Sequence, residues 1–236
     1  MGNYSGVNQM RMDNRKMNLD PENLVQYLDQ TRQLYGNQLF LEDIGQGNTE
    51  TSPEDLDSFH KLICNCQECP LSQTRKNFVF GVGNPKADIV FIGEAPGEQE
   101  DIQGIPFVGR AGKLLDKILA AIELKRDDVY ICNILKCRPP KNRDPLPSEV
   151  EKCEPYFIKQ LQLIDPKLIV ALGRISACTI LKTKDSLKNL RNQIFKYAGI
   201  DLLVTYHPAA LLRNPNFKKP AWEDFQIIRD KYLLQP

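Results

Sequence analysis

Two histidines in 236 residues, no apolar stretch as long as 18 residues and a net charge of only +1 are the scarcities of this chain. Without a long apolar run, no ordinary membrane-spanning helix is expected. The polar opening MGNYSGVNQMRMDNRK lacks the apolar core of a signal peptide, and Gly6 stands where a myristoylation motif on Gly2 needs Ser or Thr. The expectation is a soluble, cytoplasmic monomer that makes no membrane contact. Neither a Walker loop nor a G-x-G-x-x-G turn occurs, which removes the two commonest phosphate cradles. No internal repeat is visible. Apolar residues at 42% exclude a disordered chain, and 16 Pro with 14 Gly suit a globular enzyme.

A near-zero charge argues against a polyanionic partner only if it is evenly spread. It is not. Residues 1–60 carry four bases against ten acids, a balance of −6, and the remaining 27 bases and 20 acids leave 61–236 at +7. The chain reads as an acidic N-terminal extension, 1–60, joined to a basic body, 61–236. A basic body is compatible with nucleic acid without requiring it.

Residues 1–18 are expected to be disordered. Asp20-Pro21-Glu22 is a good helix start, with Leu24, Tyr27, Leu28 and Leu34 at helical spacing before Gly36. Residues 43–52 read as a linker, and Ser52-Pro53-Glu54-Asp55 as the start of a second helix leading to Ile63. From 78 onward, strand and helix alternate. FVFG, ADIVFIG, VYICNIL, KLIVALG, QIFKYA and DLLVTYH have strand character, with Gly81–Pro85 as a turn. Helices are expected at 109–124, 148–164 and 222–234, with a short one after KLIVALG. Such alternation predicts an α/β fold: a three-layer α/β/α sandwich around a central, mostly parallel sheet of four to five strands.

Seven cysteines is an odd count, and in a cytosolic chain metal ligation is a commoner use than disulfides. Cys66-Gln67-Glu68-Cys69 is a C-x-x-C turn, and Cys137 and Cys153 form a distant pair that can close a four-thiolate site. Zinc and a [4Fe–4S] cluster both accept four cysteines, so the residues alone leave the metal open. Cys64 competes with Cys66 for one ligand position. Cys132, in a strand, and Cys178, in a helix, read as ordinary buried thiols.

Ligands of open α/β sheets sit beyond the carboxyl ends of the strands. There the chain places Gly93-Glu94-Ala95-Pro96-Gly97, then the acidic Glu98, Glu100 and Asp101, then Pro106-Phe107-Val108-Gly109. Asn133 ends a strand and is followed by the densely basic turn from Lys136 through Arg138, Lys141 and Arg143. One of the two histidines, His207, ends the last strand in the run HPAALLR.

GEAPGEQED, G-x-PFVGRAGKLLD, N-x-x-KCRPPKNR and HPAALLRNP, in this order, resemble the motifs of the family 4 uracil-DNA glycosylases, the iron–sulfur members of the uracil-DNA glycosylase superfamily. The likeness runs from about Cys64 to the C-terminus. It implies a [4Fe–4S] cluster held by Cys66, Cys69, Cys137 and Cys153, and uracil-containing DNA, single- or double-stranded, as partner. The activity implied is hydrolysis of the N-glycosidic bond of a flipped-out deoxyuridine. It assigns the uracil pocket to Glu94, Ala95, Pro96, Phe107, Asn133 and His207, with Phe107 as the stacking floor, Asn133 reading the polar edge and His207 donating to O2. Other branches of the superfamily carry Asp or Asn where this chain has Ala95. The catalytic set is therefore expected to be Glu94, Glu100 and His207, with the glutamates orienting water or facing the cationic sugar. Arg138, Lys141, Arg143, Leu211 and Arg213 are expected to contact DNA.

Two rival readings differ in class. One is an inactive, metal-stapled nucleic-acid-binding relative, which the joint presence of Phe107, Asn133 and His207 disfavours. The other is a covalent uracil-DNA trap, whose relatives carry a His-containing insertion that CRPPKNRDP lacks. Gln38-Leu39-Phe40-Leu41 faintly resembles the short pieces by which bacterial repair proteins dock on the sliding clamp; an amphipathic helix packing on the body is the preferred reading.

Overall fold

The computed structural model describes residues 53–233. The helix expected after Asp20, the linker at 43–52 and the clamp-like tetrapeptide lie outside these residues.

In chain order the elements are α1 (Leu56–Ile63), β1 (Val82–Gly83), β2 (Ile89–Gly93), α2 (Glu98–Gln103), α3 (Arg110–Ala121), β3 (Tyr130–Asn133) and α4 (Pro147–Ile164). They continue with β4 (Leu168–Leu172), α5 (Arg174–Leu181), α6 (Leu187–Leu190), β5 (Ile194–Tyr197), β6 (Ile200–Thr205), α7 (Pro208–Arg213) and α8 (Lys218–Ile228). The helix expected from Ser52 begins at Leu56, because Asp55 is its cap: its carboxylate accepts from Ser58 N–H at 2.7 Å, and Ser58 Oγ accepts from Asp55 N–H in return. Leu56 and Phe59, within the span read as the N-terminal extension, pack into the core.

The sheet has six strands in the order β1-β3-β2-β4-β6-β5. β3, β2, β4 and β6 are parallel, while β1 and β5 pair antiparallel at the two edges. The expected four to five strands therefore undercount the sheet. FVFG is not a strand, and Val82–Gly83, read as a turn, is the edge strand instead. The backbone at 78–80 finds other partners: Val79 N–H donates to the Lys136 carbonyl at 2.8 Å, and the Phe80 carbonyl accepts from Gln160 Nε2 at 3.0 Å. With its polar groups satisfied in this way, the segment needs no ladder.

Strand alternation separates two cores. Val90, Ile92, Ile169, Ala171, Leu202 and Val204 point to the layer holding α1, α4 and α5. Ile89, Phe91, Leu168, Val170, Leu172 and Leu203 point to the layer of α3 and α8, where Leu115, Leu119, Phe225 and Ile228 are buried. This is the expected α/β/α sandwich. Burial on both faces explains why KLIVALG shows no polar alternation. Among the described residues, no helix is long and apolar enough to cross a membrane.

Candidate active site

β2 and β4 are neighbours, yet the chain leaves β2 for β3 on one side and reaches β4 on the other. A crevice opens at the carboxyl ends of such strands. Here it is a cavity of about 920 Å³. Glu94, Asn133 and Gly173, which line it, each end or directly follow one of the parallel strands, and His207, which also lines it, stands two residues beyond the fourth.

Its floor is held by backbone constraints. Phe107 is buried and adopts a left-handed φ of 53°. Its N–H donates to Glu100 Oε1 at 2.7 Å, and Arg126 donates to the carbonyls of Pro106 and Phe107. Gly112 lets this turn close, since a Cβ there would lie 1.6 Å from the Phe107 carbonyl oxygen. Gly93 makes the niche itself: a Cβ would fall 2.2 Å from Asn133 Oδ1 and 2.9 Å from the Phe107 ring.

Asn133 is 1% exposed, and its Nδ2 has no hydrogen-bond partner among the described residues. Leaving such a donor unpaired costs about 1–3 kcal/mol, which an incoming acceptor would recover. Behind it, Lys136 is fully buried and donates from Nζ to the Asn133 carbonyl at 2.7 Å and to Gln160 Oε1 at 2.6 Å. The sequence placed Lys136 in a basic turn beside the pocket. It is instead an internal prop for the strand end.

The two glutamates differ. Glu100 Oε2 accepts from Gly97 N–H at 3.0 Å, and its Oε1 holds Phe107, so both oxygens organise backbone. Burial raises its pKa against the pull of these bonds; Asn133 also lowers it without reaching hydrogen-bond geometry. Glu94 lines the cavity, its pKa pushed up to about 7 by burial, then by Asp144, against the pull of Arg174.

His207 caps α7: its Nδ1 accepts from Ala209 N–H at 3.1 Å. An accepting Nδ1 carries no proton, so the neutral ring holds its hydrogen on Nε2, the only donor it can offer the cavity. Burial, then Arg213, lower its pKa to about 4, which keeps it neutral at pH 7. The ring centre lies 5.5 Å from that of Phe107. Gly173, at φ 95°, gives the imidazole its space, since a Cβ would stand 2.9 Å from His207 Cβ.

At the rim, Arg143 is clasped to the buried Glu149 carboxylate by two bonds of 2.9 and 2.5 Å, and Arg138 pairs with Glu98 at 3.6 Å. Lys141 is exposed at a φ of 56°. Arg213 is exposed as well. Leu211, expected to touch DNA, is 2% exposed and packs beside Leu114, Ile118 and Trp222, so the residue free to press on a partner is Leu212, 40% exposed. Helical geometry separates these two neighbours, turning one inward and the other out. Asp144 and Arg174 were missed in the sequence. Arg174 follows KLIVALG, and the rule about strand ends would have found it; Asp144 carries no local signal.

Three of the four cysteines assigned to the cluster pack together in a small core of their own. Cys137 and Cys153 are buried with Leu71 and Leu135, and Cys69 packs against them. Tyr156 OH donates to Cys66 Sγ at 3.2 Å, and Arg75 donates to Cys137 Sγ at 3.2 Å and to the Cys66 carbonyl at 2.8 Å. Cys64 turns its thiol to the Lys61 carbonyl instead. Cys132 is buried in β3 and Cys178 lies in α5. Burial pushes the Cys153 thiol up to about 12 and raises Cys137, so a bound cationic centre is what would turn them into thiolates. Among the described residues, no three His, Cys, Asp or Glu side chains meet closely enough for a single ion. A four-iron cube needs wider spacing, because each thiolate binds a separate corner.

The model of the uracil DNA glycosylase superfamily matches residues 80–226. A type-4 uracil-DNA glycosylase of Archaeoglobus fulgidus is 46% identical over 183 residues, covering 74% of this chain and 92% of the relative. Those of Sulfurisphaera tokodaii, 46% identical over 74% of this chain and 85% of the relative, and Thermotoga maritima, 43% over 70% and 86%, are similar. The chain thus belongs to the uracil-DNA glycosylase superfamily and, within it, to the type-4 uracil-DNA glycosylases.

Proposed function

We propose that this protein hydrolyses the N-glycosidic bond of deoxyuridine in DNA, releasing uracil and leaving an abasic site. The observation that carries the reading is the unpaired Asn133 Nδ2, a buried donor in a cavity that Phe107 floors. Uracil answers it: O4 accepts from Nδ2 while N3–H donates to Oδ1. Cytosine reverses both groups, so one of its donors would face another donor.

The base must leave the stack to enter. Stacked on Phe107, it presents O2 to the Nε2–H of His207. As the bond between N1 and C1′ breaks, its electron pair passes into the uracil ring and charge grows on O2. A preorganised neutral donor stabilises that charge more than it stabilises neutral substrate. C1′ becomes positive and is attacked by a water oxygen, whose proton ends on the departing uracil anion to give neutral uracil. Glu94, whose carboxylate has no hydrogen-bond partner among the described residues, is the carboxylate available to that centre, while Glu100 shapes the floor.

The excision assay on a uracil-containing oligonucleotide tests the reading directly; no release of uracil would refute it. In the same assay kcat/KM is expected to rise with pH around 7 as Glu94 ionises, the anion being the form that faces a cation. Glu94→Gln should lower the plateau and abolish that rise. An unchanged profile would remove Glu94 from the mechanism.

The donor set fits a [4Fe–4S] cluster on Cys66, Cys69, Cys137 and Cys153, which when bound supplies a rigid cross-link between the C-x-x-C turn, the turn after β3 and α4. The wild-type protein is expected to be brown, with absorption near about 400 nm from thiolate-bound iron, and Cys153→Ala to be colourless. A colourless, zinc-only wild type from iron-replete anaerobic expression would exclude the cluster. Arg138, Lys141, Arg143, Leu212 and Arg213 are the rim residues offered to the DNA backbone, and the protein is taken to act as a cytosolic monomer.

A further inference from the structure

From Leu202 to Trp222 the chain has no acidic residue, but it has Arg213, Lys218 and Lys219, all exposed. Phosphate can approach this segment without repulsion from its own side chains. Within it, Tyr206 and Phe217 stack at 4.6 Å between ring centres and 15° between planes, and both line the cavity.

Tyr206 is anchored from below. The Arg191 guanidinium lies over its ring at 4.8 Å, and Arg191 is clasped to the buried Asp224 by bonds of 2.8 Å from both Nε and Nη2. Asp224 Oδ2 also accepts from Thr205 Oγ1 at 2.6 Å, which ties the pair to the end of β6. The stack therefore begins on a buried ion pair and ends on Phe217. That ring is partly exposed, and with Tyr206 against one face, what it shows to the cavity is its other face or edge. The hydrolytic steps above use neither aromatic.

We propose that Phe217 is a stacking platform for the base next to the excised uracil, giving the enzyme a second nucleobase subsite with Arg213 and Lys218 on the adjoining phosphates. This rests on the glycosylase reading and deepens it. Aromatic platforms suit this task because every base has a π-face, so stacking adds affinity without demanding sequence. A preanchored ring also loses little freedom on binding.

The test is a double-mutant cycle between protein and DNA. Wild type, Phe217→Leu and Phe217→Trp are each given single-stranded oligonucleotides in which the base on one side of uracil, then on the other, is replaced by a tetrahydrofuran abasic unit. Removing the stacked neighbour should raise the wild-type KM roughly tenfold. Phe217→Leu, which keeps an apolar side chain on Tyr206, should show the raised KM with intact DNA and no further rise when the base is removed. Phe217→Trp should restore the wild-type pattern. The loss should fall on KM rather than kcat, and anisotropy titration with uracil-free strands of the same design should show the same non-additivity. Additive effects, indifference of the wild type to both neighbours, or a loss confined to kcat would overturn the proposal. Absence of excision by wild type alongside a non-additive binding cycle would refute the glycosylase reading and leave the stacking platform standing.

Discussion

His207→Ala is expected to lower the single-turnover rate of uracil excision about 100- to 1,000-fold, the usual loss for one preorganised donor at a developing oxyanion. The expectation follows from the ring's tautomer. Ala209 N–H occupies Nδ1, so the imidazole enters the reaction neutral with its hydrogen on Nε2. Protonation would need acid well below neutral, its pKa being about 4. Between that value and 6.5 the unfolded chain binds the proton more tightly than the fold, so His207 withdraws stability as pH falls through this window. The catalytic corollary concerns the pH profile of Glu94→Gln. Freed of the glutamate's titration, it should be level from pH 8 down to about 5. A fall centred near 6.5 would mean that His207 titrates as an ordinary imidazole and that the neutral-donor assignment is wrong. Alanine also removes the cap of α7, at about 1 kcal/mol or less, so the variant should stay folded, and a rate within tenfold of wild type would remove His207 from the chemistry.

Asp224→Ala is expected to destabilise the fold by about 3–5 kcal/mol, because it leaves Arg191 buried without its counter-charge. Asp224 is fully buried and Arg191 nearly so. Burial raises the Asp224 pKa, and the bonds from Arg191 and Thr205 oppose that rise. At about 2–4 °C per kcal/mol for a domain of this size, the melting midpoint should drop by about 10 °C. Replacing both partners with apolar residues should cost far less, since it removes the charge together with the clasp. A single Asp224→Ala variant that melts within 2 °C of wild type would show that the pair is solvated rather than buried.

Both residues show how unevenly the site could be read from the chain. His207 stands out because histidine is scarce and this one closes the strand-like run DLLVTYH just before a proline. Nothing local marks Asp224, an acid within an ordinary amphipathic helix. Its importance comes from Arg191 lying 33 residues away in the chain and 2.8 Å away in space. Lys136 and Leu211 show the converse failure: a lysine in a basic turn and a leucine in a promising loop are both buried, because the inward face of a strand end or helix cannot be told from composition alone. The edge strand at Val82–Gly83 is two residues long, too short for any periodicity.

What the order of residues determined by itself is the layered α/β architecture, through long apolar strands alternating with amphipathic helices, and the family, through four motifs in a fixed order along the chain. The likeness to that family also singled out the four cysteines. Tertiary structure decided what each group does. It committed both oxygens of Glu100 to backbone and left Glu94 free, turned Cys66 inward and Cys64 away, and left Asn133 with an unpaired donor. These outcomes depend on which distant atoms fill the hydrogen-bonding and packing space around a side chain, and that information belongs to the folded contacts rather than to any local stretch of sequence.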